Sequence, residues 1–227
     1  MRLLIIFSII LTLAAAVSSQ TAPLPSAFQS WNEIQITAPL VRSKDKKGKS
    51  IDRITATFTG TFRIGRKTFD FLDDRAAMMF DFRINKYFSI LAGSLYRRDE
   101  IVKNVPHYET RMQTGANFTA KRGNFTFRDR NLYERRFRHS RSDLDAYRQR
   151  IQVSYSVKRG DQELFAPFIS EEGYYDLNLK TWFSNEFFIG ISRRLNKRTS
   201  LDIAYIRTDT RPINVNGLSL VLKIKLR

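Results

Sequence analysis

"ITATFTGTFRIG", residues 54–65, alternates without a break. Ile54, Ala56, Phe58, Gly60, Phe62 and Ile64 fall on one face of an extended chain, and Thr55, Thr57, Thr59, Thr61 and Arg63 on the other. A helix would scatter these phenylalanines around its axis, whereas a β-strand separates apolar from polar at a period of two. The same period recurs in RQRIQVSYSV (148–157), where Ile151, Val153, Tyr155 and Val157 alternate with Arg150, Gln152, Ser154 and Ser156. It recurs again in GLSLVLKIKLR (217–227), where Leu218, Leu220, Leu222, Ile224 and Leu226 share a face. Past the N-terminus no segment carries a convincing helical period, so the chain reads as all-β.

The N-terminus gives the compartment. MRLLIIFSIILTLAAAVSSQTAPLP places Arg2 before an apolar run, Leu3 to Leu13, followed by the small residues Ala16, Val17 and Ser18. That is the pattern of a cleaved export signal over residues 1–18. The run is short for a membrane-spanning helix, which needs about 20 apolar residues. Residues 19–30 then form a short periplasmic segment, and 31–227 the folded domain. The chain has no cysteine, which excludes thiolate metal sites, cysteine nucleophiles and disulfides. With 39 Lys+Arg against 22 Asp+Glu, the formal charge of +17 calls for anionic partners. Export removes nucleic acid from these and leaves membrane lipid and small anionic solutes.

Turns come in two kinds. Gly65-Arg66, Asn85-Lys86, Arg122-Gly123, Arg159-Gly160 and Asn196-Lys197 are short, with Gly or Asn to supply positive φ. Residues 42–50, 98–106, 139–146, 176–180 and 208–212 are longer and mostly charged. Short turns at one end and longer loops at the other mark an antiparallel up-and-down transmembrane β-barrel. Alternating them predicts twelve strands, with ten as the alternative. The count requires 67–72 and 75–84 to be two strands broken at Asp73-Asp74, and it puts both termini at one end. Trp31, Tyr87, Tyr96, Tyr108, Tyr147, Tyr155, Trp182 and Tyr205 lie near strand ends, as girdle aromatics do.

The stretch RDRNLYERRFRHSR (128–141) holds six arginines. Alternation puts Arg128, Arg130, Leu132, Glu134, Arg136 and Arg138 on the inner face, and Arg135 outside. A hairpin turn at Arg122-Gly123 pairs Lys121 with Asn124, so Arg136 faces Glu109 and Glu134 faces Arg111. On the other side Glu134 meets Arg150, and Arg136 meets Arg148, which faces Glu171 or Glu172. The expected result is a charged belt inside the barrel: Glu109, Arg111, Arg128, Arg130, Glu134, Arg136, Arg148, Arg150 and Glu172. A polar, partly wet interior tolerates such a belt, which either closes the interior and sets register or attracts anions along an open path.

Four segments carry a resemblance: WNEIQITAPL (31–40), DRNLYERR (129–136), YRQRIQ (147–152) and EEGYYD (171–176). Their order and spacing resemble the bacterial outer-membrane-type barrels grouped as domain of unknown function 2490. Leu132 and Glu186 stand where that pattern has basic residues. The resemblance implies a barrel in the cell outer membrane, with lipid and the barrel assembly machinery as partners, and no established activity.

No residues call for a cofactor or a metal. The two histidines, His107 and His139, fall in loops. His139-Ser140 with Asp143 or Asp145 lacks any oxyanion site, so the stretch reads as a solvated loop and the protein as no enzyme. The leading expectation is therefore a structural or small-solute pore that favours anions if it conducts. A barrel enzyme acting on envelope lipid or peptide at the outer rim is the alternative. So is a periplasmic β-sheet protein that binds an anionic or lipidic ligand.

Overall fold

Among the described residues strand follows strand, and a strand needs a neighbour on each edge to satisfy its backbone. The chain meets that need by rolling one sheet shut. The computed structural model describes residues 26–44, 48, 50–65, 70–102, 105–139, 141–160, 162–210 and 214–227. The strands are β1 (Ser26–Lys44), β2 (Ser50–Gly65), β3 (Asp70–Arg83), β4 (Phe88–Val102), β5 (Val105–Arg122) and β6 (Phe125–Arg138). They continue as β7 (Leu144–Tyr155), β8 (Val157–Arg159), β9 (Gln162–Asp176), β10 (Thr181–Arg194), β11 (Thr199–Thr210) and β12 (Asn214–Lys225). Each pairs antiparallel with its chain neighbour, except that β7 pairs with β9 and the short β8 forms a hairpin with β9 beyond the ring. β1 and β12 then close the barrel as a parallel pair, from Ser26↔Asn214 to Thr37↔Lys225.

Twelve strands are present, the number expected, but not strand for strand: eleven make the ring, and the twelfth is the short β8, which stands outside it. Asp73-Asp74 is no turn. β3 runs through it as a single strand, with a register shift opposite Arg63 and Ile64. Joining two expected strands into one reverses the direction of everything before it. β1 therefore ends and β2 begins at the end of the tight turns, and β2 ends and β3 begins at the end of the longer loops. The start of β1 and the end of β12 consequently lie at opposite ends, not at one, and that is why the closing pair is parallel. β1 begins at Ser26, so residues 26–30 belong to the barrel rather than to a preceding segment. The export signal lies outside the described residues.

The two faces are inverted relative to a water-soluble protein. Phe58, Phe62, Met78, Ile90, Met112, Phe127, Ile151, Ile169, Ile189, Ile203 and Leu218 are exposed on the outside. Asp73, Asp99, Arg111, Glu134 and Glu172 are buried inside. Outward rings gather at two levels. Tyr87 stacks on Phe118 and Phe125 meets Tyr155 near the tight turns. Tyr96 stacks on Tyr108 and Tyr175 meets Trp182 near the other end. Tyr108 and Phe118 are ten residues apart on β5. At about 3.4 Å per residue and a tilt of about 40°, this is roughly 26 Å of height, close to the apolar band of an outer-membrane barrel. Trp31 is the exception among the expected girdle residues: it points inward and is 7% exposed. The outer face also carries polar pairs, among them Gln149 with Asp129, Asn185 with Glu171 and Ser30 with Asn32.

The parallel closure can be tested because the chain has no native cysteine to interfere. Adjacent strands hold paired Cα atoms within disulfide reach. Oxidation is expected to cross-link Glu33→Cys with Val221→Cys, and Thr37→Cys with Lys225→Cys, both pairs in the observed register. An antiparallel seam through Glu33 and Val221 would instead cross-link Gln29→Cys with Lys225→Cys.

Candidate functional site

The inner face carries its charge in a layer toward the end of the longer loops. Its centre is Glu134 on β6, which has no exposed surface. One oxygen, Oε1, accepts from Gln113 Nε2 at 2.7 Å and Arg148 Nη1 at 3.1 Å. The other, Oε2, accepts from Arg136 Nε at 2.9 Å and Arg111 Nη1 at 3.3 Å. Arg111 Nε also reaches Glu109 at 2.5 Å. Arg148 Nε reaches Glu172 at 2.5 Å, which also receives Arg130 at 2.8 Å and stands 3.8 Å from Arg150. Of the expected belt, Glu109, Arg111, Arg130, Glu134, Arg136, Arg148, Arg150 and Glu172 thus share one connected set of ion pairs. Arg128 stands apart, nearer the tight turns.

The predicted rungs differ from the observed ones, although the faces agree. Gly123 takes φ +59° and opens a two-residue turn with Asn124, which pairs Arg122 with Phe125. Glycine at the first central position is the chemistry of a type II′ hairpin. The β5–β6 register therefore moves by two residues from the expected one. Arg111 faces Arg136, and Glu109 faces Arg138. Across β6 and β7, Leu132 faces Arg148 and Arg130 faces Arg150. A shift of two keeps every side chain on its face. Between adjacent strands the pairs Arg111–Glu134, Arg148–Glu134 and Arg148–Glu172 then run diagonally, which an arginine reaches easily. The direct rung Arg150↔Glu172 is the exception.

A second cluster was hidden by reading Asp73-Asp74 as a turn. Asp73 is 4% exposed and receives Arg75 at 2.9 Å and Arg97 at 3.1 Å, with Arg63 at 3.6 Å. Arg97 also meets Asp99 at 3.3 Å, as does Arg141 at 3.7 Å. The alternation Asp73, Arg75, Ala77, Met79, Asp81, Arg83 was present in the sequence and would have revealed these residues had the segment been read as one strand. Across both clusters nine guanidinium groups share five carboxylates. Aromatic faces take up part of the excess, since the negative face of a ring attracts a cation. Arg63 lies 3.2 Å above Trp31, Arg150 lies 4.6 Å from Phe188, and Arg148 lies 5.0 Å from Tyr174.

Above this layer is a cavity of about 850 Å³. Arg63, Arg75, Arg148, Arg150, Glu172 and Glu186 form its floor, and it reaches Asn85, Lys86 and Lys121 at the tight-turn end. The difference between filled and open follows side-chain length. Above Arg63, β2 sends Thr55, Thr57, Thr59 and Thr61 into the cavity, whereas arginines and rings meet across the layer below. Ten basic and five acidic side chains line it. His139 lies outside, with its Nδ1 3.4 Å from the Tyr108 carbonyl oxygen. Asp145 and Asp143, its proposed partners, both hold Arg135.

Removing one partner from a buried ion cluster strands the others, at a cost of about 3–5 kcal/mol. Glu134→Ala is expected to lose stability of that order in urea unfolding. Lys121→Ala, which removes a cavity lysine outside the layer, is expected to leave the midpoint in place.

No curated protein matches the sequence. Two solved structures show a likeness. A NanC porin is 12% identical, with 78% of this chain and 86% of that chain covered at a TM-score of 0.44. An anion-selective porin from Comamonas acidovorans is 12% identical, with 79% of this chain and 58% of that chain covered at a TM-score of 0.36. Neither likeness extends past the β-barrel architecture itself. The model of a protein family of unknown function, DUF2490, matches residues 28–215, nearly the whole barrel, and the chain belongs to that family.

Proposed function

We propose that this protein is an outer-membrane β-barrel that draws small anions into a basic vestibule, with the ion-paired layer as its constriction. The apolar outer face between two levels of aromatic rings supports the membrane reading. The observation that carries the functional reading is the charge of the cavity, ten basic against five acidic side chains. Walls of low dielectric focus such a field and raise the local anion concentration. Below the cavity the layer is tight among the described residues: Glu134, Asp99, Glu172, Arg111 and Asp73 are each less than 5% exposed. A narrow, charged constriction passes small ions slowly and larger solutes not at all. A non-catalytic role is part of this reading, and it is supported by Arg135, which holds Asp143 and Asp145, the carboxylates that would have to orient His139.

Planar-bilayer recording tests this reading. The wild-type protein is expected to show a small unit conductance that favours chloride over potassium. Trimming the layer with Arg148→Ala together with Glu134→Ala removes one cation and one anion, and is expected to raise conductance while keeping the preference. A preference for cations, or no current from either protein, would overturn it.

A further inference from the structure

The charges of the cavity are not distributed evenly. In the layer at its floor every arginine already has a carboxylate. Nearer the mouth, among the described residues, Arg83, Lys121 and Arg128 have none, and Lys86 contacts only the ring of Tyr87, 4.6 Å away. These four come from one wall, from β3, the β3–β4 turn, β5 and β6. Backbone register puts three of them together. Thr119 pairs with Arg128, Lys121 pairs with Thr126, and the Thr119 amide donates to the Tyr87 carbonyl. Asp81, the acid on this wall, accepts from Ser89 rather than pairing with these cations, so like charges gathered without ion-pair partners store an attraction for an anion from solution.

The wall across the ring is different. β9, β10, β11 and β1 contribute Phe168, Phe188, Ala204 and Trp31, which pack into an apolar cluster and also line the cavity. Phe188 and Trp31 meet edge to face at 6.2 Å. A cavity that served inorganic ions alone would have no use for an apolar shelf, and a purely apolar ligand would have no use for the cationic wall. Binding pockets of this size pair an apolar lining with a few placed polar groups that fix orientation.

We infer that the cavity is a binding site for an organic anion with an apolar body. Its carboxylate, sulfonate or phosphate meets Lys121 and Arg128. Its hydrocarbon or aromatic part meets the cavity-facing edges of Phe168, Phe188, Ala204 and Trp31, since Arg63 and Arg150 lie over the faces of Trp31 and Phe188. This deepens the anion-vestibule reading by naming the ligand class, and it rests on that reading only for the path by which the ligand enters.

The two tryptophans give the test. Trp182 lies outside and is 61% exposed, so Trp182→Phe leaves Trp31 as the single reporter. In lipid nanodiscs, benzoate is expected to change Trp31 emission saturably. Benzyl alcohol lacks the charge and inorganic phosphate lacks the body, and each is expected to bind about tenfold more weakly or worse. Lys121→Ala with Arg128→Ala is expected to weaken benzoate by a similar factor, about tenfold. Neither residue belongs to the ion-paired layer, and the urea midpoint of this variant checks that the barrel is intact. Equal binding of benzyl alcohol and benzoate, or an unchanged benzoate titration in the double variant, would overturn the site. Phosphate binding as tightly as benzoate would overturn the ligand class while leaving the anion vestibule standing. Saturable benzoate binding in a barrel that prefers cations in the bilayer would keep the site and overturn the transport reading.

Discussion

One buried carboxylate organises the interior. Glu134 is wholly enclosed, and its two oxygens hold Arg111, Arg136, Arg148 and Gln113. Through Arg148 it is tied to Glu172, and through Arg111 to Glu109. Each arginine comes from a different point on the wall, so the acid draws β5, β6 and β7 toward a common centre and, through Glu172, β9 as well. Deprived of such partners, the inward arginines would be buried charges without compensation, and burial of that kind is tolerated only in pairs or networks. Asp73 does the same for β2, β3 and β4 through Arg63, Arg75 and Arg97.

The need for long side chains follows from the width of the ring. About eight strands give an interior that ordinary side chains just fill, and wider barrels enclose space. Eleven strands stand between these cases. At the level of the layer the space is spanned by guanidinium groups and by rings such as Tyr174 and Phe183. At the level of Thr55 to Thr61 the inward side chains are too short to meet, and the cavity is what they leave. The packing of the interior is thus set by one variable, the reach of the inward residues at each height. The excess of arginine over carboxylate in the layer, eased by Trp31, Phe188 and Tyr174, leaves the whole interior positive.

Much of this was legible in one dimension. Alternation assigned the face of Arg130, Glu134, Arg136, Arg148 and Arg150 correctly, because side chains in a strand must point to opposite sides in turn. It separated Arg135 from its neighbour Arg136, and the structure puts the first outside on Asp145 and the second inside on Glu134. Partners were less legible. A change of turn from Arg122-Gly123 to Gly123-Asn124 leaves the pattern intact and moves every rung. Trp31 was misread for a related reason: its place near a strand end matches a girdle residue, but its parity puts it inside. Asp73-Asp74 shows the opposite failure, where a local turn preference was overruled by arginines that arrive from β2 and β4.

The sequence alone determined the strand period, the inner and outer faces, the cast of charged residues and the family, because each depends on neighbours along the chain. The tertiary structure decided the eleven-strand ring, its parallel seam, the diagonal ion pairs and the division into a tightly packed layer and an open cavity. These depend on which strand lies beside which, and on how far side chains reach across a closed volume. A period of two carries no information about either, because a strand lengthened through Asp73 or slipped by two residues presents the same alternating faces.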